Sequence, residues 1–206
     1  MGCAFTAMGG TALWLDQGSQ GCSVVNSTFD DTSGSAIVIG GIGYPHTAAA
    51  HRTLENSVQH CTIRRTSVEY HGAAALAVGY AARTTITHNL IRNLSFTGIS
   101  LCWGWNNPSD CAEQEVAYNE VSHSMCGELL GTDHTQLAGV VGFRACSERR
   151  VAVSDGGSVY TMCQQPGSSI HHNWLHHQCV SAAAPFASSF EASRSGCADR
   201  VRRSLS

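Results

Sequence analysis

The sequence predicts an all-β chain folded as a right-handed parallel β-helix, a single solenoid of about five coils. Two observations point there. A six-residue pattern returns at roughly the length of one coil, and behind the first three copies a short alternating apolar strand, preceded by a small residue and closed by glycine, returns as well.

Five segments share the order apolar-x-x-(polar or Cys)-x-apolar: VVNSTF from Val24, VQHCTI from Val58, ITHNLI from Ile86, VAYNEV from Val116 and IHHNWL from Ile170. Their starts lie 34, 28, 30 and 54 residues apart, too far for a hexapeptide solenoid and right for coils of three short strands. Stacked in register, Ser27, Cys61, Asn89, Asn119 and Asn173 become a polar ladder at a bend. Asn suits a bend because it tolerates left-handed backbone angles and can bond its stacked neighbours.

The second signal is GSAIVIGG, AALAVGY and GISLCWGW. Aligned on Gly40, Gly79 and Gly104, these place Ile37, Leu76 and Leu101 in one column and Ile39, Val78 and Trp103 in the next. Period-two alternation turns both columns to one side, taken as the interior, with equivalent strands about 4.8 Å apart.

Three segments interrupt the repeat. Residues 44–56 read as a loop projecting from the stack. Residues 131–154 carry no coil pattern and read as an insertion into one coil rather than as a coil of their own. Residues 181–206, rich in Ala, Ser and Arg, read as an irregular or helical tail behind a β-helix domain of residues 1–180.

Composition narrows the classes. A chain of 206 residues with 43% apolar content can bury one sizeable core. A net charge of −3 without charge runs argues against nucleic acid, and the lack of an 18-residue apolar run argues against a membrane span. The opening MGCAFTAMGG lacks the basic and apolar regions of a signal peptide. The ten cysteines show no paired spacing and are expected to be free thiols, with Cys61 and Cys102 acting as small packing residues.

Four blocks resemble a known family: DTSGSAIVIGG, EYHGAAALAVGY, THNLIRNLSFTGISLCWGW and DGGSVYTMCQQPGSSIHHNWLHH, the last starting at Asp155. They are spread over residues 31–177, about seven tenths of the chain, and are similar to right-handed parallel β-helix proteins of the pectin-lyase-like kind. The resembling group includes glycoside hydrolases with α-L-fucosidase or xylanase activity. Cys102 stands where that family usually has glycine before WGW, a small-for-small change. The resemblance implies a secreted carbohydrate-active protein that takes polysaccharide or oligosaccharide, without cofactor. Members are far longer, so this chain is expected to be a central part or an imperfect gene model.

Glycoside cleavage usually needs two carboxyl groups flanking the scissile bond. Asp155 is the first candidate, in the family-like DGG block and beside glycines that admit close approach; its rival reading is an Asp-Gly turn. Glu69 precedes its strand much as Asp155 precedes SVYT and is the second; Glu128 and Asp110 are alternatives, and Asp133 falls in the insertion. Trp105 and Tyr160 are candidate stacking platforms for a sugar ring, and His88 a candidate for bonding substrate hydroxyls. Trp103 is expected in the core. HHNWLHH, at 171–177, invites a metal reading, but His60, His88 and His172 share one repeat column with Asn26 and Tyr118, so a structural ladder is expected and no metal site. A polysaccharide lyase is disfavoured because no basic residue is placed by sequence near Asp155. Two function classes remain: a glycoside hydrolase-like enzyme acting on wall polysaccharide, or a non-catalytic β-helix scaffold or glycan-binding module.

Overall fold

The computed structural model describes residues 2–103, 109–124 and 156–178. Their sheets are all parallel, and each strand pairs with its equivalents in neighbouring coils rather than with its neighbours in sequence. Sheet I stacks Leu13–Leu15, Ile37–Ile39, Leu76–Val78, Ile99–Leu101 and Val159–Thr161. Sheet II stacks Ser23–Val25, Ser57–Gln59, Thr85–Thr87, Glu115–Ala117 and Ser169–His171. Sheet III has six strands, Ala4–Met8, Thr28–Thr32, Thr62–Thr66, Leu90–Leu94, Glu120–Ser122 and Trp174–His176. A short pair, Thr53–Leu54 with Ala81–Ala82, continued by bridges at Gln20 and Ala112, turns the corner from sheet I to sheet II. This is a right-handed parallel β-helix, the hand that strand twist imposes on parallel crossovers.

Each six-residue segment of the sequence pattern spans one corner. Its first apolar residue lies on sheet II, where Val24, Val58, Ile86, Val116 and Ile170 are in register, and its last on sheet III, where Phe29, Ile63, Ile91, Val121 and Leu175 are. Most of these side chains are fully buried and meet the inward columns of sheet I in one core. Phe5 stacks on Phe29 with ring centroids 4.7 Å apart, extending the column by one coil. Val116 pairs directly with Ile170, so these two strands stand side by side in sheet II; the suspected insertion 131–154 lies outside the described residues.

Left-handed backbone marks the corners. Asn26, His60, His88, Tyr118 and His172, between sheets II and III, have φ from 50° to 58°. The ladder residue is therefore not the left-handed one, as the sequence suggested, but the one after it. Asn89 Oδ1 accepts the Cys61 N–H at 2.9 Å, Asn119 Oδ1 accepts the Asn89 N–H at 3.0 Å, and Asn173 Oδ1 accepts the Asn119 N–H at 2.9 Å. The amide groups of the three asparagines donate to the carbonyls of Val58, Ile86 and Val116. Each side chain thus satisfies backbone groups that the bend withdraws from the sheet. In the same column Cys61, 1% exposed, directs its thiol to the carbonyls of Val24 and Gln59.

A second ladder, not visible as a repeat, lies between the short pair and sheet II. Gly21, Glu55, Arg83, Glu113 and Gly167 are left-handed there. The residues that follow bond from coil to coil: Asn56 Oδ1 accepts the Cys22 N–H, Gln114 Oε1 the Thr84 N–H, and Ser168 Oγ the Gln114 N–H. A third left-handed column runs along sheet III: Ala7, Asp31, Arg65 and Asn93 interrupt their strands and drop out of the pairing register, and His123 and His177 directly follow theirs. The histidine-rich run supplies members of two columns: His172 stacks on Tyr118 at 5.1 Å, and His177 on His123 at 4.9 Å.

Two expectations are corrected. Leu101 pairs with Val78 and Ile99 with Leu76, so the inward columns run through Ile99 and Leu101, two residues earlier than a glycine alignment places them. Cys102, at φ 64°, takes the place that Gly40 holds at φ 74°, and Trp103 lies outside the core, 41% exposed. Cys102 is also not a free thiol: it is bonded to Cys111.

Two outcomes follow for stability. Asn119→Ala leaves buried backbone donors and acceptors unpaired and lowers the unfolding free energy by about 2–4 kcal/mol in a urea titration. Asp30, 6% exposed, resists charge through burial, but hydrogen bonds from Arg65 and Arg64 at 2.6 and 2.8 Å and their charges outweigh this and hold its carboxyl below the usual range. A depressed carboxyl adds stability that is present above about pH 4 and lost as pH falls through the folded value. Asp30→Asn therefore removes part of the acid sensitivity of the unfolding free energy between neutral pH and pH 3.

Candidate functional site

The inward residues of sheet I fill the core, so the alternate residues face out in a second column: Trp14, Val38, Ala77, Ser100 and Tyr160. The middle three are small, and an aromatic ring stands at each end. Four strand steps separate the rings, about 19 Å. One wall rises from the turns after the strands, at Gly40–Ile42, Gly79, Cys102, Trp103 and Met162. The other rises from the turns before them, at Thr11, Ser35, Gly72–Ala74, Phe96 and Thr97. The result is an open groove of about 500 Å³ whose described lining residues carry no formal charge.

Local chemistry shapes the groove. The Trp14 indole N–H donates to the Gly40 carbonyl at 3.1 Å, which fixes the ring while leaving it 58% exposed. A Cβ on Gly156 would stand 2.5 Å from Thr97 Oγ1 and 2.6 Å from the Phe96 ring, so only glycine allows the chain to pass this close to the groove wall. The loop after Gly40, with its 3₁₀ turn Ala49–His51, is held by Asp110. That carboxylate accepts the Thr47 N–H at 2.8 Å and lies 3.2 Å from His46 Nδ1 and 3.3 Å from Arg52 Nε. Burial opposes its charge; the Thr47 amide, His46 and Arg52 prevail and hold it below the usual carboxylate range.

Of the residues singled out by sequence, Tyr160 lines the groove, half-buried. Trp103, expected in the core, lines it too. Glu69 is exposed on the loop that supplies Gly72–Ala74 to the wall, its N–H bonded to the Ser33 carbonyl at 3.3 Å, and it does not itself line the groove. His88 is on another corner, stacked between His60 at 4.9 Å and Tyr118 at 5.1 Å. Asp155, Trp105, Glu128 and Asp133 lie outside the described residues. Trp14 was missed because its strand, LWL, lacks the closing glycine of the other coils; its only signal was apolar alternation. Among the described residues, the three side chains of metal-donor type that lie within 4.8 Å of one another are not histidines but Cys102, Cys111 and Cys163, two of them joined in a disulfide.

Fold and groove define a parallel β-helix protein with an open, ligand-sized cleft across one sheet. Among solved structures, one named "Glycoside hydrolase" is similar to this chain with a TM-score of 0.70 and 24% sequence identity, over 85% of this chain and 27% of its own length. At that identity the similarity is one of fold, and this chain spans little more than a quarter of that protein. No protein-family model and no curated protein matches the sequence.

The Asp110 clamp is testable. Asp110→Ala exposes the segment from Tyr44 to Arg52 to proteases, and limited proteolysis should cut there several-fold faster than in the parent while the β-helix core stays intact.

Proposed function

We propose that the groove of sheet I binds a neutral polysaccharide chain and that the protein is a glycoside hydrolase-like, carbohydrate-active protein working outside the cell. The observation that carries this is the outward column itself: aromatic rings at both ends of a floor of small residues, in a cleft whose described lining is uncharged. Sugar rings pack their C–H faces on Trp and Tyr, and an uncharged lining suits fucosylated or xylan-type glycans better than polyuronates, which call for cations. Trp14 and Tyr160 are the stacking platforms, with Trp105 beside Trp103 in sequence as a third.

Asp155 is proposed as the acid or nucleophile, with Glu69 as its partner carboxylate. Support for Asp155 comes from its covalent neighbour Gly156, which packs on Phe96 and Thr97 in the groove wall. Support for Glu69 is its place on the wall-forming loop. His88, exposed in its column, is kept as a contact for hydroxyls of a chain that extends beyond the groove. A non-catalytic glycan-binding module is the second reading, favoured by one observation: no carboxylate is among the described lining residues.

Hydrolysis assays on neutral oligosaccharides separate the two. The enzyme reading expects release of reducing ends by the parent chain and a loss of about 10²–10⁴-fold in Asp155→Asn. Binding without release by the parent chain leaves the module. In either case Trp14→Ala and Tyr160→Ala each weaken oligosaccharide binding about tenfold, ~1.4 kcal/mol, by calorimetry. Unchanged affinity in both variants would remove the groove from the account.

A further inference from the structure

Three sulfurs meet at the edge of the groove. Cys102 directly follows the sheet I strand Ile99–Leu101, is bonded to Cys111, and precedes Trp103 on the groove wall. Cys163 comes from the next coil, and the Sγ atoms of all three residues lie within 4.8 Å of one another. Cys102 and Cys111 are each 1% exposed, whereas Cys163 is a half-buried free thiol. Ser109 serves both sides, its Oγ 3.4 Å from Cys163 Sγ and accepting the Cys111 N–H at 3.3 Å. A free thiol this close to a disulfide, and open to solvent on one side, is placed for exchange.

We propose that Cys102, Cys111 and Cys163 form a thiol–disulfide exchange centre that moves one crosslink between two positions. Cys163 gives its proton to solvent and attacks Cys102 Sγ. The Cys102–Cys163 bond forms as the Cys102–Cys111 bond breaks, and Cys111 leaves as a thiolate that takes a proton from solvent. One disulfide exists before and after, so neither oxidant nor reductant is consumed. Cys102 is the sulfur attacked because its strand and that of Cys163 are already paired, with the Met162 N–H on the Leu101 carbonyl at 3.0 Å, so the new bond joins two fixed coils. The crosslink then ties one coil to the next at the groove edge, beside Trp103.

The test is peptide mapping of the full chain, incubated folded at pH 8, trapped in acid, alkylated, and cut at Trp103 and Trp105 to separate Cys102 from Cys111 and at Arg144, Arg149 and Arg150 to separate Cys111 from Cys163. The expected result is two crosslinked species, Cys102–Cys111 and Cys102–Cys163, with alkylation lost at Cys163 matched by alkylation gained at Cys111. Starting from the first species, its conversion slows about tenfold per pH unit below the thiol pKa. Cys163→Ser keeps the first crosslink and shows no second, which separates exchange at this centre from general scrambling. A single Cys102–Cys111 crosslink with Cys163 fully alkylated at every pH would overturn the proposal, as would recovery of all three as free thiols.

Discussion

The structure depends on how its corners are hydrogen-bonded. A parallel coil must turn several times in about 30 residues, and these turns place one residue per corner in the left-handed region, which disfavours side chains other than glycine by roughly 1–2 kcal/mol. The bends also pull amides and carbonyls out of the sheets, where burial would leave them costly. The ladders at Asn89, Asn119 and Asn173 and at Asn56, Gln114 and Ser168 answer both demands, because each side chain reaches one coil over and supplies the missing partner. Register is set by the same contacts: a slip of one residue would break every rung together and turn the core columns outward.

With corners and core carried by inward residues, the outward positions of sheet I are free to vary, and there the chain differs most from a repeat. Trp14, Val38, Ala77, Ser100 and Tyr160 hold one structural position but differ in bulk from alanine to tryptophan. Packing does not explain such a gradient. A long chain such as the proposed polysaccharide, crossing the strands at right angles, would meet one such side chain per coil. The start of the loop clamped by Asp110, at Gly40–Ile42, and Cys102 with Trp103 then complete a wall beside the column.

Most of the fold was legible because the core obeys a strict period. Val24 to Phe29 and its four equivalents announce two strands and a corner with six residues, and their pairing matches the structure throughout. Misplacements arose where different side chains do the same work. Glycine alignment shifted the sheet I strand Ile99–Leu101 by two residues, because Cys102 accepts the positive φ that glycine adopts in Gly40. The second ladder stayed hidden because Cys22, Asn56, Thr84, Gln114 and Ser168 share hydrogen-bonding roles without sharing a residue type. The Cys102–Cys111 bond was equally unreadable, since it depends on a loop returning to a corner and leaves no periodic trace. The site was the least legible part: one member of the outward column, Tyr160, was singled out in advance, and Trp14 at the other end was not.

The measurement that bears most directly on the groove is the affinity of the protein for a series of neutral oligosaccharides of increasing length. The account predicts that affinity climbs with each added sugar until the chain spans the roughly 19 Å from Trp14 to Tyr160, then levels off. Affinity that does not change with length, or no binding at any length, would contradict it.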